Sequence, residues 1–183
     1  MAFWLLPGER SEKQLARNTN ALSDYTLTKD VTIGFERWPQ ALDYRVTFSV
    51  PTNTHHVSAQ FEVLTGYLPD CFNSFYQFDP QEKKFKQLSR GPGEIKNPVV
   101  LATADGKFAM GVFSITPKES NMRGPNYGRW FFDWAHVSKW NCVYRVSKPD
   151  GIRHGDYNYR LLVPVGTLAQ VESMMTEWSE MKW

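Results

Sequence analysis

Apolar and polar residues alternate with period two along much of this chain, the mark of strands that bury one face. In Tyr25–Phe35 the odd positions Tyr25, Leu27, Val31, Ile33 and Phe35 are apolar, set against Thr26, Thr28, Asp30 and Thr32. Leu42–Val50 alternates without a miss: Leu42, Tyr44, Val46, Phe48 and Val50 face one way, Asp43, Arg45, Thr47 and Ser49 the other. Val57–Val63 repeats the pattern through Val57, Ala59, Phe61 and Val63. The link between the last two is "PTNTHH", a Pro/Asn turn of hairpin length, which predicts a hairpin with Val50 opposite Val57. That register sets apolar against apolar throughout and Arg45 against Glu62, Thr47 against Gln60 and Ser49 against Ser58.

Further on, "FYQFD" is a short strand and "SRGPGEIKNP" a loop. "PVVLATADGKFAMGVFSI" predicts a second hairpin about a two-residue Asp105-Gly106 turn. Phe108, Met110 and Val112 fall on one face of its second strand, and Ala109, Gly111 and Phe113 on the other. Apolar residues on both faces mean a central strand covered twice, so the domain needs two layers. Thr116–Gly128 has no period and reads as a long loop. An aromatic strand segment, Gly128–Val146, follows, then a strand over "YNYRLLVPVG". Thr167 with Gln170 forms a capping-box pattern, and Leu168, Val171, Met174, Met175, Trp178 and Met181 make an apolar stripe at helical spacing. The expected fold is all-β: a two-layer antiparallel β-sandwich, jelly-roll or supersandwich-like, with a C-terminal amphipathic helix over 168–181. Residues 1–24 form an irregular arm, and 25–183 the sandwich domain.

At 183 residues the chain is long enough for one domain that folds without disulfides or metal. Its 21 basic and 19 acidic residues are dispersed, with no basic stripe, so no nucleic-acid partner is expected. The two cysteines, Cys71 and Cys142, lie far apart in aromatic surroundings and read as buried free thiols, neither a disulfide framework nor a zinc signature. No segment approaches the ~18 apolar residues of a membrane span, and no signal peptide is visible in this chain. A soluble protein of unassigned compartment is expected, with no metal site and no cofactor.

Aromatic residues are 15% of the chain, and they concentrate in "GRWFFDWAHVSKWNCVYRV". On a continuous strand Trp130, Trp134, His136, Trp140 and Cys142 would share one face. Two readings stand side by side. The indoles fill a core, or they form platforms on which sugar rings stack. A core does not readily accept His136 without a partner, which predicts a bend into two strands joined by "AHVS". The polar face of the first hairpin, with Arg45, Gln60 and Glu62, is either a solvated surface or a hydroxyl-reading floor, and Arg145 adds a further polar reader. His55 and His56 point apart on a strand, which argues against a metal site; His154 is a loop residue beside Asp156. No phosphate loop, nucleophile elbow or zinc-protease helix is present. Glu62, Glu94 and His136 are the available acids and bases.

The stretches "FEVLTGYLPD", "GPGEIKNPVVLATADGKFAMGVFS" and "KWNCVYRV…YNYRLLVPVGTLAQV" resemble those of uncharacterised proteins with galactose-mutarotase-like β-sandwiches. The resemblance implies a sugar-facing concave sheet, and a histidine acid and glutamate base for which His136 and Glu62 are the counterparts here. The resulting expectation is a carbohydrate-binding module with a glycan or oligosaccharide partner, its ligand residues Trp130, Trp134, Trp140, Arg45, Gln60, Glu62 and Arg145. The alternatives are a sugar-modifying enzyme, epimerase or lyase-like, on the same scaffold, and a non-catalytic structural or assembly domain that forms homo-oligomers.

Overall fold

The computed structural model describes residues 5–10, 15–16, 19, 23–117 and 122–183; most of the arm expected over 1–24 lies outside them. Alternation does produce strands. In chain order they are β1 (Thr26–Phe35), β2 (Trp38–Val50), β3 (Ser58–Pro69), β4 (Ser74–Asp79), β5 (Lys84–Leu88) and β6 (Gly93–Ile95). They continue as β7 (Val99–Ala102), β8 (Ala109–Gly111), β9 (Phe113–Ser114), β10 (Met122–Phe132), β11 (Val137–Ser147) and β12 (Gly155–Gly166), before the helix α1 (Leu168–Glu180). Two antiparallel sheets result. One has eight strands in the order β1-β2-β12-β8-β7-β4-β5, with β9 also beside β12. The other has four, in the order β3-β11-β10-β6. The chain is an all-β sandwich with one C-terminal helix.

The hairpin expected between Leu42–Val50 and Val57–Val63 does not form. β2 pairs with β1 and β12, while β3 pairs with β11 in the other sheet. "PTNTHH" therefore carries the chain across the sandwich. Val57 falls before β3 and is exposed, but most of the inward sets are as expected, with Tyr44, Val46, Val50, Phe61 and Val63 buried. They meet across the gap between the sheets, with the Phe48 and Phe61 rings 5.2 Å apart. Two alternating strands satisfy their apolar faces equally well side by side or face to face, and alternation does not distinguish the two. Arg45 and Glu62 consequently lie on opposite outer surfaces.

Three further expectations change for local reasons. β1 is an edge strand that overhangs the narrower sheet, leaving Val31 and Ile33 50% and 82% exposed on what would be its buried face. A register shift between Ile33 and Phe35, at Gly34 with φ +90°, turns Phe35 to the opposite side of the sheet. The β7–β8 hairpin forms, but its loop is longer than two residues. The Thr103 amide donates to the Phe108 carbonyl (2.9 Å), and Asp105 Oδ1 accepts from Thr103 Oγ1 (2.7 Å) and the Lys107 amide (3.1 Å). These side-chain bonds hold a wider turn, with Gly106 at φ +68°, and they leave Phe108 exposed. Part of the expected loop Thr116–Gly128 is strand: Met122 already pairs with Val146, and the shift between Arg123 and Asn126 hides the alternation.

The strand expected to be covered on both faces is split into β8 and β9; Ala109, Val112 and Phe113 are buried but Phe108 is exposed, and the wholly buried central strand is its neighbour β7, Val99–Ala102. Its second cover is α1, which lies across the outer face of the eight-stranded sheet. The capping box closes as expected: Thr167 Oγ1 accepts from the Gln170 amide (3.3 Å), and Gln170 Oε1 from the Thr167 amide (2.8 Å). Val171, Met174, Met175 and Trp178 are buried against Phe35, Trp38, Phe78, Val100, Phe113 and Leu162. Trp178 meets Trp38 edge-on at 5.6 Å. Truncation of Trp178 to Ala is expected to cost about 3–5 kcal/mol, read as a lowered urea midpoint. Phe108→Ala, at an exposed site, is expected to leave the midpoint within about 0.5 kcal/mol of wild type.

Candidate functional site

One sheet face lies under α1 and the two inner faces pack together; among the described residues no element covers the outer face of the four-stranded sheet. The aromatic segment builds much of it. It bends into two strands, β10 and β11, near His136 as expected, but the joint lies two residues earlier than "AHVS", with Val137 and Ser138 already in β11. The joint is a 3-10 turn over Asp133–Ala135, closed by His136 in the left-handed region at φ 51°. The bend separates the three tryptophans. Trp140 points inward and is 1% exposed, so it belongs to the core and is corrected from its place among the ligand residues. Its ring lies over Gly66 on β3, where a Cβ would sit 2.4 Å from the indole. Trp134 stands at the turn, 85% exposed, with its edge to Phe132. Trp130 faces outward and is half-buried, its indole laid along the strand over Gly128.

Strand register sets the rest of the face. Trp130 lies opposite Lys139, and Lys139 opposite Tyr67, so these three form one row across the sheet. The next row is Glu94, Gly128, Asn141 and Thr65. Lys139 Nζ sits 4.9 Å from the Trp130 ring centre and 5.4 Å from that of Tyr67. It also pairs with Glu62 Oε1 at 3.1 Å. The buried Asn141 accepts from the Gly128 amide and donates to Glu62 Oε1, both at 3.0 Å. A register shift in β3 at Cys142/Val143 puts Thr65 and Glu62 on the same side, and Thr65 Oγ1 donates to that same carboxylate oxygen. Arg145 forms a second cluster on the same face: its Nε donates to Gln60 Oε1 (2.8 Å), and its two Nη groups to the Glu94 carboxylate (2.8 and 2.7 Å).

Burial pushes the Glu62 carboxyl upward, but bonds from Thr65, Asn141 and Lys139 outweigh it and hold the group below its ordinary value. The paired Glu94 raises Arg145.

Of the residues nominated from sequence, Trp130, Gln60, Glu62 and Arg145 share this face, and the acid candidate Glu94 joins them. Tyr67, Lys139, Asn141 and Thr65 were missed as site residues because only the β3–β11–β10 register brings them together. Arg45 is corrected to the outer side of the other sheet, where it donates to Asp43 (3.1 Å). There Arg160, ahead of Arg45, holds the Asp43 carboxyl below its usual range, against the upward push of burial. His136 lies at the exposed turn with its Nδ1 2.9 Å from Asp70; no contact joins it to Glu62, so that pairing of acid and base is not formed. His56 bonds to Tyr25, and His154 to the Pro51 carbonyl. Among the described residues no group of three His, Cys, Asp or Glu is placed to hold a metal. No described helix is long and apolar enough to cross a membrane. Both cysteines are free, but Cys71 is exposed rather than buried; Cys142 is buried as expected, and burial pushes its thiol well up.

Because Glu62 is depressed in the folded state, its contribution to stability is complete above the ordinary glutamate value of 4.5 and is lost as pH falls through the lower folded value. Glu62→Gln is expected to flatten this acid limb of the urea-stability profile, by less than about 1 kcal/mol given solvent screening.

No protein-family model and no curated protein matches this chain.

Proposed function

We propose that the outer face of the four-stranded sheet binds carbohydrate. The observation that carries this reading is the juxtaposition of the Tyr67 ring, 67% exposed, with a row of hydrogen-bonding side chains locked to one another by register. A sugar ring has apolar C–H faces that stack on an aromatic ring, and a rim of hydroxyls that need donors and acceptors at fixed places. Tyr67 supplies the stacking surface. The exposed Glu62 and Gln60 supply the polar contacts, and Lys139, Asn141 and Arg145 hold them in place. Trp134 offers a second open ring at the turn; Trp130 is already overlaid by the Lys139 ammonium and acts as its support.

Mutual hydrogen bonding holds the polar side chains before any ligand arrives, which lowers the ordering cost of binding. The resemblance to galactose-mutarotase-like sandwiches points the same way. Binding is favoured over catalysis because the available histidine, His136, is tied to Asp70 at the turn and faces no partner in this row among the described residues. Catalysis would need an acid and a base within reach of one bound atom.

A glycan array followed by calorimetry on the hits tests the reading. Tyr67→Ala is expected to weaken binding about tenfold, the worth of roughly 1.4 kcal/mol. Arg45→Ala, on the other sheet, is expected to leave affinity unchanged. A folded wild-type protein that binds no glycan on the array would end the proposal.

A further inference from the structure

Resting on the carbohydrate reading, we infer that Glu62 is the specificity-determining residue of this face and selects uncharged sugars at its aromatic end. The inference starts from how the carboxylate is held. Thr65 Oγ1, Asn141 Nδ2 and Lys139 Nζ all bond to the same oxygen, Oε1. The other oxygen, Oε2, accepts from no described residue. The side chain is 37% exposed and its carboxyl is kept ionised. The arrangement is a fixed anionic acceptor at the surface, next to the Lys139 ammonium that lies over the Tyr67 and Trp130 rings, with the lone pairs of Oε2 unspent.

The cation nearest to it offers a ligand little. Lys139 is 15% exposed in its side chain, is held on Glu62 Oε1 and lies against two aromatic rings, so the pair turns the carboxylate's Oε2 outward and not the ammonium. Arg145 spends its guanidinium on Glu94 and Gln60. Two other cations among the described residues share this side of the sheet, both away from the aromatic row: Lys96, bonded to Asn126 Oδ1, and Arg123, opposite Arg145. Among the described residues, a ligand ring placed over Tyr67 therefore meets a free carboxylate oxygen and no free cation.

A hydroxyl donates to Oε2 and gains a charge-assisted bond. A carboxylate or sulfate at the same place meets a like charge that cannot move away, and like charges brought together in a contact discriminate strongly between ligands. The class of ligand that fits is a neutral pyranose with a hydroxyl toward Glu62 and its C–H face toward Tyr67. Uronates and sulfated sugars are rejected at this end.

The test is an array of matched glucose-, galactose- and mannose-based oligosaccharides in neutral and uronate form, with calorimetry on each bound pair. Wild type is expected to bind the neutral member about tenfold or more tightly, and the ratio is expected to narrow between about 20 and 500 mM salt. Glu62→Gln removes the charge with little change of shape and leaves Lys139 without its counter-ion, so the preference is expected to vanish or reverse. Thr65→Val, which removes one donor and no charge, is expected to keep it. Equal or tighter binding of the uronates by wild type overturns the inference while leaving the carbohydrate reading in place. So does a preference for neutral sugars that ignores both salt and, in a folded protein, Glu62→Gln. Failure of every member of every pair to bind overturns the carbohydrate reading itself, and the inference with it.

Discussion

The central strands of the eight-stranded sheet have two apolar faces, and both must be taken out of water. That constraint organises the molecule. The Val99–Ala102 strand is wholly buried, which requires a layer on each side. The four-stranded sheet covers the inner face through Phe61, Val63, Trp140, Cys142 and Tyr144. The helix covers the outer face through Val171, Met174, Met175 and Trp178. The indole N–H groups of Trp140 and Trp178 are buried with no partner among the described residues. Each costs about 1–3 kcal/mol, offset by the large apolar area an indole removes from water.

Unequal widths follow from this arrangement and have consequences. Four strands do not cover eight, so β1 projects past its cover and leaves Leu27, Val31 and Ile33 in contact with solvent. Lys29, on the same side of β1 opposite Val46, places a charge in this overhang, a feature that discourages edge-to-edge pairing. Among the described residues no such layer lies over the outer face of the narrower sheet. Its polar residues are satisfied instead by one another, through the chain Lys139–Glu62–Asn141 and the pair Arg145–Glu94.

Two glycines make that face possible. At Gly128 a side chain would run into the Trp130 indole and the Asn141 carboxamide, so the indole lies flat only because the strand beneath it is bare. At Gly66 the same relation holds on the inner side, where Trp140 fills the space a Cβ would take. One glycine lets an aromatic ring lie on the surface and the other lets one lie in the core, and each sits next to the ring it admits.

Period and punctuation along the chain determined the elements: alternating strands, a break near His136 and a capped helix after Thr167. These depend on contacts between near neighbours and on which face is apolar, and both are written locally. Which strand lies beside which was not legible. Val57–Val63 has the same alternation whether it pairs with Leu42–Val50 or faces it across the core, and only the tertiary structure decided for the second. The same decision divided the polar face in two, sending Arg45 to one surface and Gln60 and Glu62 to the other. It also united Glu62 with Lys139, Asn141 and Tyr67, residues as far apart in sequence as 62 and 141. Register between distant strands is set by the packing of whole layers, and no short stretch of sequence contains that information.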